Sequence, residues 1–135
     1  MARIVTTPID ERAELEAVRS PAAGAVLCFA GTVRDHHLGR KVTSLEYHAY
    51  ETMALKELTR IEDTIRSRWS GARAGIVHRV GHLLPGETSV FIAVSTAHRA
   101  EGFEALSFAI ETLKRAAPIW KKEMYPDGHA WIEGS

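Results

Sequence analysis

The sequence predicts an α+β domain with a largely antiparallel sheet, on three observations. Residues 52–69 and 103–117 repeat their apolar positions at helical spacing. Residues 25–33, 42–50 and 74–99 read as strands, either as continuous apolar runs or by alternation. Pro85-Gly86 divides the last stretch at a tight turn, where glycine supplies a positive φ, and so makes its two runs antiparallel neighbours. With no repeat, linker or low-complexity segment between them, these elements form a single domain over residues 1–135.

The elements follow in order. Residues 10–19 begin with acids, end on Arg19 and precede Pro21, a charge order that suits the dipole of a short N-terminal helix. After Gly24, "AVLCFAGTV" is expected to be a buried strand that feeds the exposed loop "RDHHLGRK". In "VTSLEYHAY", Leu45, Tyr47 and Ala49 alternate with Glu46, His48 and Tyr50, so one face packs and the other meets water or a partner. The first long amphipathic helix carries Leu55, Leu58, Ile61, Ile65 and Trp69 on its apolar face, with Glu62 and Arg66 expected to pair across one turn of the outer face. The second carries Phe103, Leu106, Ile110, Leu113 and Ala117, and Pro118 ends it because proline has no N–H to continue the ladder. "HAWIE", after Asp127-Gly128, reads as a last short strand.

Composition narrows the function classes. A chain of 135 residues buries a core without covalent staples. Seventeen basic side chains balance seventeen acidic ones, which removes any general attraction to nucleic acid or anionic lipid, so a basic site must be local. Cys28 is the single cysteine, which rules out an internal disulfide, a CxxC pair and a cysteine zinc cluster. Its place in an apolar run casts it as a small structural hydrophobe rather than a nucleophile. The N-terminal residues lack the apolar core of a signal peptide and no run is long enough to span a bilayer, so the expectation is a cytoplasmic protein without membrane contact.

Seven histidines raise the question of a metal. His78 and His82 stand four apart in a strand pattern, roughly 13 Å from each other, and cannot share one ion. His36 and His37 are loop neighbours whose side chains diverge, and no metal is expected.

The basic residues group more tellingly. Arg34 closes one strand, His98 and Arg99 close another and open a helix, Lys114 lies in that helix's last turn, and Lys121 follows the Pro118 corner. Arginine, lysine and histidine at the ends of rigid elements are the set for a phosphate or carboxylate ligand. Each also has a plain reading, Lys114 as a complement to the helix dipole and Arg99 as a solvated edge. A non-catalytic anion- or nucleotide-binding module would use the same cluster, although the neutral charge and the lack of an exposed aromatic-basic ladder speak against RNA.

Three stretches, "GAVLCFAGTVRDHHLGRKVTSLEYHAYETMA", "VHRVGHLLPGETSVFIAVSTAHRAEGFEA" and "LKRAAPIWKKEMYPDGHAW", appear in an order that resembles the large, catalytic subunits of molybdopterin synthase from Gly24 to Trp131. The resemblance implies a fold of the α/β-hammerhead type. It implies conversion of cyclic pyranopterin monophosphate (precursor Z) to molybdopterin, with two sulfurs drawn from the C-terminal thiocarboxylate of a small ubiquitin-like carrier ending in Gly-Gly. The chain itself then requires no cofactor. Lys114 and Lys121 match the catalytic lysines, and Thr32, Val33, Arg34, His98, Arg99, Lys122 and Glu123 the other substrate-facing positions. Under this expectation the Pro118 corner bends Lys114 and Lys121 into one cavity, and Trp120 and Trp131 hold its wall. One departure is Gly102, where relatives often carry alanine. The resemblance also implies a homodimer at the centre of a heterotetramer. His98-Arg99 and Lys114 lie roughly 22 Å apart along one straight helix, so a neighbour's His98 and Arg99 are expected to complete each site.

Overall fold

The computed structural model describes residues 1–132; Glu133, the end of the strand expected at 129–133, lies outside the described residues. In chain order the elements are β1 (Arg3–Val5), α1 (Glu11–Val18), β2 (Ala25–Thr32), β3 (His36–His37), β4 (Arg40–Lys41), β5 (Ser44–Ala49), α2 (Glu51–Arg68), β6 (Arg73–Arg79), β7 (Gly81–Leu83), β8 (Thr88–Thr96), α3 (Arg99–Ala116), β9 (Ile119–Tyr125) and β10 (Gly128–Ile132). The α+β class is as expected, but the strands divide between two main sheets. One has the order β1-β6-β8-β2 and is antiparallel except for the β1–β6 pair; the other, β10-β9-β5-β7, is antiparallel throughout. The division begins at Gly81, whose φ of 97° turns the chain off β6 so that β7 pairs with β5. Residues 74–84, expected as one run, therefore serve both sheets. The Pro85-Gly86 turn behaves as expected, with Gly86 at φ 89° and Glu87 N–H bonded to the Leu84 carbonyl at 3.1 Å.

Burial on one stripe explains each helix. Asp10 caps α1 by accepting the Ala13 N–H at 3.1 Å, satisfying one of the donors that a helix start leaves free. On α2, Leu58, Ile61 and Ile65 are fully buried, whereas Leu55 is half-exposed. Glu62 is not on the outer face: it is 2% exposed, and its two carboxylate oxygens accept the Ala2 and Ile76 backbone N–H groups at 2.9 Å each. It sits four residues after Leu58, on the core stripe, and is tolerated there because both oxygens are satisfied. Arg66 pairs with Asp63 instead. On α3 the buried stripe is Gly102, Ala105, Ala109 and Leu113, while Phe103 is 62% exposed. These small residues bring α3 close to the sheet, so that a Cβ at Gly102 would lie 2.4 Å from Leu27 Cδ1.

The main core lies between α2, α3 and the first sheet, with Ile76, Ile92 and Val94 at its centre; a second, around Tyr47, Leu83, Ile119 and Tyr125, lies under the second sheet. The expectation for β2 needs correction. It is an edge strand and only half-buried, and Cys28 is exposed. Phe29 packs against the main core, and Val26 belongs to the smaller cluster that gathers Val18 and Leu15 of α1. The eight residues of α1 are too few to cover that second face as far as Cys28.

Candidate active site

The site forms where the C-terminal end of α3 meets both sheets. The Ala117 N–H still bonds the Leu113 carbonyl at 3.0 Å, Pro118 stops the ladder, and Ile119 starts β9 in register with Ala49 of β5. Lys114 therefore sits in the last helical turn and Lys121 just inside β9. Alternation along β9 turns Ile119, Lys121, Glu123 and Tyr125 inward, and Trp120, Lys122 and Met124 outward.

From the first sheet, β2 supplies Thr32 and leads to Arg34. A bulge shifts the β2–β8 register between Gly31 and Thr32, and Ser89, skipped by the pairing, donates its hydroxyl to the Gly31 carbonyl at 3.1 Å. A side chain at Gly31 would meet Val90 at 2.7 Å, so only glycine allows this approach. The result is a cavity of about 250 Å³ that Thr32, Arg34, Tyr47, His78, Lys114 and Lys121 line with polar groups, over apolar walls from Phe29, Val90, Ile110 and Leu113.

Its electrostatics are cationic and partly dry. Burial lowers the pKa of Lys121, and the charges of Lys114 and Arg34 act in the same direction, while Glu123 opposes them. Glu123 is 4% exposed; burial alone would raise its pKa, but hydrogen bonds from Tyr125 (2.7 Å) and His37 (2.9 Å), with the charges of His37 and Lys121, bring it below the usual carboxylate value. His78 is 1% exposed, and burial, assisted by the charge of Lys114, drives its pKa down to about 4 against the opposing bond to the Arg79 carbonyl. That bond, 2.9 Å from Nδ1, fixes the tautomer, since a carbonyl only accepts. Nδ1 carries the proton, and Nε2 is left as an acceptor on a neutral ring.

Of the residues expected at the site, the cavity gathers Thr32, Arg34, Lys114 and Lys121. Val33 is 4% exposed in the second core, its backbone tied to Glu87 and Gly86. Glu123 lies behind Lys121 and does not line the cavity. Lys122 projects from the opposite face of β9, with its ammonium 5.4 Å from the centre of the Trp131 ring. Trp120 and Trp131 do not wall the cavity: they stand on that outer face, each against His48. Alternation of side chains along β9 and β10 is the cause, because the corner at Pro118 is followed by a paired strand and not by a loop. His98 and Arg99 are exposed at the far end of α3, an unbroken helix over Arg99–Ala116.

Sequence reasoning missed His78, Tyr47 and Ser89 as members of the site. His78 carried one signal, a polar residue inside the otherwise apolar "AGIVHRV". Among the described residues, no group of three or more histidine, cysteine, aspartate or glutamate side chains is placed to hold a metal ion. No helix among the described residues is long and apolar enough to cross a membrane.

Comparison with known proteins puts names beside this geometry. A family model described as "MoaE protein" matches residues 4–116. The molybdopterin synthase catalytic subunit of Bacillus subtilis is 46% identical over 129 residues, covering 96% of this chain and 82% of the relative. The crystal structure of molybdopterin synthase from Staphylococcus aureus superposes with a TM-score of 0.92 at 43% identity, covering 96% of this chain and 94% of that one. A chain in the complex of subunits 1 and 2 of molybdopterin-converting factor from Helicobacter pylori has a TM-score of 0.81 at 23% identity, over 98% of this chain and 90% of that one, a likeness of fold alone.

Proposed function

The chain belongs to the MoaE protein family, and on that premise we infer that it is the catalytic subunit of a molybdopterin synthase, an enzyme of sulfur transfer in molybdopterin biosynthesis. The observation that carries the reading is the meeting of Lys114, Lys121 and Arg34 around one cavity of about 250 Å³. Three cations converge where both proposed reactants are anionic: the phosphate of cyclic pyranopterin monophosphate and the thiocarboxylate of a carrier.

Each of the two transfers joins the thiocarboxylate sulfur to a substrate carbon as a carbon–oxygen bond at that carbon breaks. The oxygen leaves with the opened phosphate ester in one transfer and as water in the other. Water then cleaves the acyl–sulfur bond, returning the carrier as a carboxylate and leaving sulfur on the pterin side chain. Lys114 orients the thiocarboxylate and stabilises the negative charge that develops in this exchange. Lys121 holds substrate charge, and its lowered pKa brings proton transfer closer to neutral pH. Arg34 binds the phosphate, with Thr32 beside it. The chain contributes no sulfur and calls for no cofactor of its own; Cys28 does not line the cavity.

The relatives' name, catalytic subunit, presupposes a second chain. The partner is a small ubiquitin-like sulfur-carrier subunit with a C-terminal Gly-Gly, a tail without side chains that suits an opening of this size. Ligand pockets usually measure about 300–1,000 Å³, so the cavity seats the reacting ends and leaves the rest of the pterin at its mouth. There a second copy of the chain, in a homodimer at the centre of a heterotetramer, supplies His98 and Arg99. A cytoplasmic location accords with the free cysteine.

Incubation with precursor Z and thiocarboxylated carrier tests the reading. Dithiolene product is expected with repeated turnover, whereas tight binding of both without product would replace the enzyme by an anion-binding module.

A further inference from the structure

We propose that His37 is a positioning residue for Lys121 and acts on it through Glu123. His37 belongs to the β3–β4 hairpin, whose two-residue turn, Leu38-Gly39, holds both residues at positive φ, 50° and 79°. The hairpin is fastened over the start of β10 from its other strand. Arg40 bonds Asp127 at 2.8 Å, and its guanidinium lies 3.8 Å from the centre of the Tyr125 ring. With the hairpin so placed, His37 Nδ1 comes 2.9 Å from Glu123 Oε1. A carboxylate only accepts, so this nitrogen donates.

The contact ends on the carboxylate directly behind Lys121. Tyr125 donates to the same Oε1 at 2.7 Å, so two donors fix the orientation of a carboxylate whose side chain is 5% exposed. Lys121 is two residues away on the same face of β9. Around its ammonium, Lys114 and Arg34 press the proton off and Glu123 holds it on. Orientation of Glu123 thus sets how strongly Lys121 stays charged, and His37 is the part of that arrangement contributed from outside β9. Arg40 holds the hairpin without it, so loss of the imidazole releases the carboxylate more than it releases the loop.

The proposal rests on the catalytic role of Lys121, but its first test does not need turnover. Acylation of the folded protein across a pH series, read at Lys121 by fragmentation of the labelled peptide, gives that lysine's titration midpoint separately from Lys122. In His37→Ala the midpoint should fall by about half a pH unit or more, because the nearby carboxylate that favours the charged lysine is no longer held in place. His37→Asn, whose amide nitrogen takes the place of Nδ1, should return it to the wild-type value, and Glu123→Gln should lower it at least as far as His37→Ala. With precursor and carrier present, kcat should fall about 5- to 20-fold in His37→Ala with KM within twofold, and recover in His37→Asn. An unchanged Lys121 midpoint in His37→Ala overturns the proposal whether or not the wild type turns over. So does an equal shift in the alanine and asparagine variants. Absence of product from wild-type protein, with the midpoints moving as stated, would instead overturn the assigned function and leave the contact standing.

Discussion

At its C-terminal end α3 delivers Lys114 to a walled cavity, beside a histidine that is 1% exposed and a second lysine whose pKa burial has lowered. At its N-terminal end His98 and Arg99 stand in solvent. His98 occupies the N-cap position, yet its side chain makes no capping bond; the Thr96 hydroxyl bonds its carbonyl at 2.7 Å instead. One end has been finished by its own chain. The other leaves its basic side chains exposed. Lys114 follows Arg99 by fifteen positions along one unbroken helix, roughly 22 Å, so the two sets cannot meet on one small substrate within one chain, and the bare end is where a second copy would be read.

The sharpest way to break this contrast is at the finished end. Lys114→Ala should lower kcat by about 10²–10³-fold, the usual effect of removing a group that stabilises developing charge, with the fold intact. Lys122→Ala, on the outer face of β9, should stay within about twofold. Near-normal turnover in Lys114→Ala would mean the cavity is not where the chemistry happens.

The bare end makes a smaller prediction with a more particular signature. Arg99→Ala should cost about 10- to 100-fold, the loss of a charge-assisted bond to substrate. Mixed with Lys114→Ala chains and allowed to exchange, about half the dimers become hybrid, each with one intact and one doubly damaged site. About a quarter of all sites should then recover, by the symmetry of an isologous pair. Confirmed exchange without recovered activity would show that His98 and Arg99 serve no neighbouring site.

Burial at the finished end also leaves a mark on stability. His78 titrates at about 4 in the fold against 6.5 for a free side chain. Between those values the unfolded chain binds a proton that the folded chain refuses, so stability rises with pH through this window and is fully present above 6.5. Denaturant unfolding should lose about 1.4 kcal/mol per pH unit on acidification through it, about 3 kcal/mol in all. Glu123 adds its own loss only at lower pH, since its folded pKa is depressed below the ordinary 4.5. In His78→Asn the slope between pH 6.5 and 4.5 should flatten, whatever that variant's absolute stability. An unchanged slope would place the titrating group elsewhere.

The same contrast separates what the sequence made legible from what it did not. Both long helices could be read because their period is local, and Arg34, Lys114 and Lys121 because charged residues at element ends attract attention without any tertiary information. β9 could not. "IWKKEMY" has no apolar alternation to announce a strand, and its membership comes from pairing with β5, some seventy residues earlier. The misplaced tryptophans follow from that miss, since a loop at 119–125 could have turned Trp120 inward and a strand could not. His78 and Ser89 join the site only after β6 and β8 pair and the second sheet closes over them. Glu62 differs for another reason: its charge suggests the outer face, whereas its spacing from Leu58 and Ile65 puts it on the buried stripe.

The smallest expected effect lies on the bare end, at Gly102, the one position on the buried stripe of α3 without a side chain. A glycine inside a helix costs about 1 kcal/mol against alanine, so Gly102→Ala gains that much in backbone terms. The new Cβ would lie 2.4 Å from Leu27 Cδ1 and 3.0 Å from Thr96 Oγ1. The first is the tip of a flexible, half-buried side chain that can turn aside, at a repacking cost of about 1–3 kcal/mol. The two effects nearly cancel, and the melting curve should shift by no more than the equivalent of about 1 kcal/mol. Activity should stay within about twofold of wild type, because Leu27 can yield without moving the helix axis and Lys114 is twelve residues away. If turnover drops tenfold while the melting temperature holds, the first turn of α3 is positioned more tightly than its exposure implies. That outcome would argue that Arg99 works within a fixed geometry, as a residue reaching into a neighbour's site must.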